Sequence, residues 1–117
     1  MSLFDGLTIR SVERALDFES ERQRVTAHNI ANVSTPGFLA KRLHFEGQLA
    51  EAIDEGWHTE PEPSTTIAET PIRLDGNNVS LEQETMVQIQ SGLHYESLVE
   101  AMSFKFGVLN TAIRMGR

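Results

Sequence analysis

Apolar residues in the first third of the chain recur at helical spacing: Ile9, Val12 and Leu16, then, beyond a polar stretch, Ile30 and Val33. No Pro or Gly interrupts residues 7–33 and most residues there are good helix formers, which predicts a helix of about 27 residues, roughly 40 Å long. Ala15, Phe18, Val25 and Ala27 lie off the main line, so the apolar stripe is broad. The helix is expected to stop at Ser34, Thr35, Pro36 and Gly37. Pro36 disfavours the α conformation at Thr35 and has no N–H to donate, while Gly37 can supply a positive φ.

Phe45, Leu49, Ala52 and Ile53 make a short amphipathic pattern within residues 43–55, a helix of three turns closed by Gly56. Residues 57–74 change character, with Pro61, Pro63, Pro71, Glu60, Glu62 and Glu69 around little that is apolar. They read as an irregular or disordered loop with at most a short strand near residues 65–68.

The last pattern follows a turn cluster, Asp75, Gly76, Asn77 and Asn78. Ser80 with Gln83 three residues on is a capping box, so a long helix should begin there. Its apolar positions are Met86, Ile89 and Leu93, then Tyr95, Val99, Met102, Phe106, Leu109 and Ile113, in steps of three and four with one shift of seam. Glu82 and Glu84 in the first turn and Arg114 and Arg117 at the end complement the helix dipole. At about 34 residues this helix would be roughly 50 Å long.

Those lengths set the fold class. A compact domain of this size has a radius of gyration of about 13 to 14 Å, so such helices must pair side by side and extend beyond any globule. The expectation is a mainly α chain: N-terminal helix in residues 1–34, a turn, short helix and variable loop in 35–79, and C-terminal helix in 80–117. The terminal helices form one extended coiled coil. Leu98 and Phe104 lie off the Tyr95 to Ile113 line, as Phe18 does in the first helix. Two helices cannot bury two stripes each, so other subunits are expected to cover the remainder.

Composition narrows the function. A formal charge of −7 has the wrong sign for a protein that neutralises phosphates, which argues against nucleic acid as a partner. The absence of Cys removes disulfides, thiolate metal sites and thiol catalysis together. No apolar window has the length of a signal peptide or of a membrane span.

His28, His44, His58 and His94 are scattered over different elements without metal-ligand spacing, and read as surface or interface residues. Glu19 and Glu21 read as solvated helix face, and neither a phosphate loop nor a nucleophile arrangement is present. The chain is therefore not expected to be an enzyme or to hold a cofactor or metal. Gly92 and Gly107 each cost about 1 kcal/mol in a helix interior. Gly92 extends the Tyr95 seam backward, where it would admit a neighbouring helix; simple tolerance is the bland alternative.

The most distinctive string is Asn29, Ile30, Ala31, Asn32, then Thr35, Pro36, Gly37 and Phe38. On physical grounds it is a helix C-terminus whose Asn side chains can bond freed carbonyls or a neighbouring backbone. The string also resembles the hallmark of the flagellar axial proteins, and the chain is similar to the basal-body rod proteins of the proximal rod along nearly its whole length. The subtype likeness rests on Phe45 and Glu46, on Asp75 to Val79 leading into the last helix, and on Glu84, Met86, Tyr95, Ala112 and Ile113. Thr85 splits the usual Glu-Met pair, and residues 57–74 carry no recognisable pattern.

The resemblance implies a structural subunit that assembles helically through its terminal helices into a periplasmic rod. It further implies export, unfolded and without a cleaved signal, through the type III apparatus, and contacts with other rod proteins and with the inner-membrane ring and its adaptor. The expected helix-pair and subunit interface is Ile9, Val12, Leu16, Ile30, Gly92, Tyr95, Val99, Met102, Phe106, Leu109 and Ile113. Asn29, Asn32, Thr35, Pro36 and Gly37 would fix the chain reversal, and Asp75, Gly76, Asn77, Asn78, Ser80 and Gln83 the lead-in to the last helix. A neighbouring proximal-rod subunit type, and more distantly a soluble helical export chaperone or adaptor, are the alternatives.

Overall fold

The structure is a computed structural model that describes residues 6–116. Residues 1–5 and Arg117, which the expected terminal helices include, lie outside the described residues. Five elements follow in order: α1 (Gly6–Ala31), β1 (Lys41–His44), α2 (Glu46–Asp54), β2 (Ser64–Ile67) and α3 (Leu81–Met115). The fold is mainly α with long terminal helices, as the periodicity predicts.

α1 and α3 pair antiparallel: Glu19 meets Ser91 and His94, whereas Asn29, ten residues on, meets Glu84. With 26 residues in α1 and 35 in α3, the helices measure about 39 and 52 Å. The molecule spans 68 × 26 × 14 Å with a radius of gyration of 18.3 Å, well above the value of about 13 to 14 Å for a compact chain of this length.

Helix ends follow local chemistry. The Ser80 side chain accepts from the Gln83 N–H at 3.3 Å and caps α3. α2 closes in a Schellman arrangement, with Gly56 N–H on the Ile53 carbonyl and Trp57 N–H on the Ala52 carbonyl. Gly56 takes φ +72° there, and Trp57 follows it into the left-handed region at +66°.

One expectation needs correction. The middle helix begins at Glu46, not near residue 43, because Lys41–His44 is extended and pairs with β2 in register Lys41↔Ile67 to His44↔Ser64. Within residues 57–74, β2 falls where a short strand was expected, and side-chain bonds from Trp57, Thr70 and Arg73 hold the irregular remainder in place. The extended Lys41–His44 follows from long-range pairing, which a local pattern does not contain.

The apolar core lies between α1 and the middle segment, not along the helix pair. Phe18 and Phe45 pack with ring centroids 5.0 Å apart. Guanidinium groups cover their outer faces, Arg14 over Phe18 at 4.4 Å and Arg22 over Phe45 at 4.5 Å. A second cluster joins Ala40, Ala68 and Val79, with Val33 and Phe38 against it.

Candidate functional site

The motif string ends α1 and is held by the chain that leads into α3. Most of the carbonyls that the helix end sets free meet a donor. The Asn32 side chain donates back to the His28 carbonyl at 2.9 Å, and Thr35 Oγ1 donates to Asn32 Oδ1 at 3.0 Å. Asn77 Nδ2 donates to the carbonyls of both Asn32 and Thr35, each at 2.8 Å. The Arg73 guanidinium joins the Val33 and Val79 carbonyls, both at 2.6 Å.

The two turns also touch backbone to backbone. Gly37 N–H donates to the Asp75 carbonyl at 2.8 Å. Gly37 and Gly76 have φ of +77° and +84°, and a Cβ on Gly76 would sit 3.1 Å from the Gly37 Cα. Gly76 is thus required twice, by its conformation and by this close approach.

Asn29 and Asn78 act as inserted peptide groups on the small sheet. Asn29 Nδ2 donates to the Lys41 carbonyl at 2.9 Å while its Oδ1 accepts from the Lys41 N–H at 3.1 Å, so the side chain pairs one edge of β1. Asn78 Oδ1 accepts from Ala40 N–H at 2.6 Å and its Nδ2 donates to the Ala68 carbonyl at 2.9 Å, which adds a rung where the strands part. Asn29, Asn77 and Asn78 are all buried with these bonds made.

Along the helix pair the central line is polar. Asn29 donates to Glu84 at 2.7 Å, and Arg42 reaches both Glu84 oxygens at 2.6 and 2.7 Å. Glu84, expected to complement the helix dipole, is fully buried. Glu19 corrects a second expectation: it is buried rather than solvated, accepts from Ser91 at 2.8 Å and pairs with Arg22 and His94. Buried carboxylates persist only when paired and hydrogen-bonded, and both are.

The structure rotates α3 relative to the apolar line predicted for it. Glu84 and Ser91 face α1, and Met102 and Leu109, half-buried and five helical turns beyond each, continue that face. Tyr95, Val99, Phe106 and Ile113 lie on the flank and are exposed, while Ile9, Val12, Leu16 and Ile30 of α1 are half-buried. Met86, Ile89 and Leu93 project away from α1, each about 60% exposed. The error has a physical cause: pattern reading turns apolar residues inward, and no local signal reports that Arg42 and Asn29 compensate Glu84. Gly92 has nothing within 4 Å of an added Cβ, so no helix of the same chain approaches it closely.

The back of α3 therefore carries Met86, Ile89 and Leu93 at one end. At the other is a shallow apolar depression lined by Phe104, Gly107, Val108, Thr111, Ala112 and Met115. Glu96, Ser97 and Glu100 separate the two. No helix among the described residues is long and apolar enough to cross a membrane, so this surface is not a span. Among the exposed histidines, His44 bonds Thr66 Oγ1 at 2.8 Å, and His28 meets the Phe38 ring edge-on.

Trp57 and Glu60, whose roles the sequence does not announce, bind the middle segment to the start of α1. Trp57 Nε1 donates to Glu60 Oε2 at 2.9 Å, Arg10 stacks over the indole, and Arg10 and Arg14 both pair with Glu60. The Trp57 hydrogen bond, together with those cations, holds the Glu60 carboxyl below its usual range against its slight desolvation. At Glu46 burial acts upward, yet the Arg22 guanidinium and nearby backbone N–H groups win and hold the carboxyl at about 2.

Comparison with known proteins agrees with this geometry. The model of the family described as "Flagella basal body rod protein" matches residues 9–38, the stretch that ends in the motif turn. The flagellar basal body rod protein FlgB of Bacillus subtilis (strain 168) is 33% identical over the full length of both chains. FlgB of Aeromonas hydrophila is 32% identical over 86% of this chain and 87% of its own, and FlgB of Escherichia coli (strain K12) 28% identical over 87% and 90%. With a polar-seamed helix pair, an intact motif turn and relatives matched from end to end, the chain belongs to the FlgB family of flagellar basal body rod proteins.

Proposed function

We propose that this structural rod subunit assembles helically in the proximal rod, with the back of α3 as a contact between copies, and that the rod so formed transmits torque and encloses the export channel. The observation that carries this reading is the two-sided α3. One face is closed against α1 by paired polar groups, while the other leaves Met86, Ile89, Leu93 and Phe104 at about 60% exposure or more. A monomer gains nothing from large apolar side chains held in water, whereas a neighbour that covers what is still exposed gains about 1 to 2 kcal/mol for each.

The terminal helices act as one structural unit, and the motif turn aims residues 35–79 outward from it. Contacts with other rod proteins and with the inner-membrane ring and its adaptor, and export through the type III apparatus without a cleaved signal, belong to the same reading. A chain that lacks Cys cannot be cross-linked while it threads a narrow channel. The apolar surface left open also argues against a self-sufficient soluble chaperone.

The test is complementation of a strain that lacks its own copy, with the tagged chain followed into purified basal bodies. Recovery of motility together with the tag in the rod supports the reading. Motility restored without the tag in the rod, or a stable discrete dimer as the working form, overturns it.

A further inference from the structure

We propose that the outer edge of β2 is a docking site for a short extended segment of another protein, flanked by Lys or Arg, which adds to the sheet as a third strand. The Ala68 N–H donates to the Ala40 carbonyl at 2.8 Å, and the register pairs Arg42 with Thr66 and His44 with Ser64. In an antiparallel ladder of that phase, Ser64 and Thr66 bond to β1. The N–H and C=O groups of Thr65 and Ile67 then point away, and they meet no partner among the described residues.

β1 shows what a covered edge looks like in this fold. Asn29 occupies both backbone groups of Lys41, and Arg22 donates to the Leu43 carbonyl at 3.0 Å. β2 has no such cover: all four of its residues are exposed and none is charged, although edges are commonly blunted by Lys, by Pro or by an overlying element. Pro63 and Pro71 bound the open stretch, which limits an added strand to about four to six residues. Ile67 in the strand is 56% exposed, and Ile72 and Leu74, which follow it in the chain, are 64 and 110% exposed.

Charge selects the occupant. Glu62 and Glu69 flank the strand and have no ion pair among the described residues, and no Lys or Arg occurs between Glu60 and Ile72. An antiparallel pairing of two copies would set Glu62 of each near Glu69 of the other, a like-charge contact that disfavours self-addition. A segment with basic flanks meets those carboxylates favourably, and main-chain bonds supply the rest of the recognition.

The test uses the full chain and two synthetic peptides, Lys-Val-Thr-Val-Thr-Lys and its counterpart with Glu at both ends, both capped. Amide hydrogen exchange and chemical shifts report occupancy. The Lys-flanked peptide should slow exchange at Thr65 and Ile67 by about tenfold or more and bind about tenfold more tightly than the Glu-flanked one. Thr65→Pro removes one outward N–H and no bond to β1, so it should abolish binding while the Thr66 amide stays protected. A Glu62→Lys, Glu69→Lys variant should reverse the peptide preference. The proposal is overturned if neither peptide protects these amides, if Thr65→Pro binds like the unaltered chain, or if the amides become protected with rising protein concentration alone, which would place a second copy at the edge.

Discussion

The carboxamide nitrogen of Asn29 lies 2.7 Å from Oε1 of Glu84, 55 positions away along the chain. The same carboxamide closes a two-bond pair with Lys41, so one side chain joins the end of α1 to the sheet and to the start of α3. Asn29→Ala would leave the Lys41 backbone unpaired and Glu84 with Arg42 as its remaining partner. Each buried polar group so stranded costs about 1 to 3 kcal/mol, and a total loss of about 3 kcal/mol is expected from urea unfolding followed by circular dichroism. Glu84→Gln should cost less than Glu84→Ala, because it still accepts from Asn29 while the Arg42 ion pair is weakened.

The paired glycines give a second prediction. Gly76→Ala meets the Gly37 backbone and takes a strained φ, so it should destabilise by about 2 kcal/mol or more. Gly37→Val meets no neighbour but places a β-branched residue at φ +77°, at a cost of about 1 to 2 kcal/mol, whereas Gly37→Asn should be tolerated. Under the proposed function, Gly37→Val and Pro36→Ala reduce incorporation into the rod while export stays measurable. Thermal melts separate the stability effect, and tag recovery in basal bodies reads the assembly effect.

Acid titration should expose Glu46. Its folded carboxyl sits at about 2, below the ordinary 4.5, so its ionised form favours folding. That contribution is present in full above the ordinary value and is lost as pH falls from about 4.5 through about 2. The side chain is 62% exposed and water screens its pairing with Arg22, so the loss is about 1 kcal/mol or less. Glu46→Gln should flatten this part of the stability curve, read through the fluorescence of Trp57, the single tryptophan.

The back of α3 separates folding from assembly. Leu93→Asp and Phe104→Asp alter exposed positions, so stability should change by within about 0.5 kcal/mol and helix content should hold. Rod incorporation should fail for both. Gly92→Leu, open to solvent in the single chain, should likewise spare the fold and hinder assembly. Wild-type motility in all three would remove the back of α3 from the interface.

The two long helices and the family resemblance were legible in the sequence. Helical periodicity, the Pro36-Gly37 stop and the Ser80 cap are local signals, and they placed α1 and α3 to within a few residues. The motif string marked Asn29 and Asn32 as side chains for freed carbonyls or neighbouring backbone, and both bond that way. Tertiary structure alone decided which way α3 faces. A buried carboxylate is excluded from a pattern-based core because burial of a lone charge is costly, and only the fold brings Arg42 and Asn29 to Glu84, and Ser91 and Arg22 to Glu19. With those charges compensated, the polar line turns inward and the apolar line of Met86, Ile89 and Leu93 turns out to where another subunit can cover it.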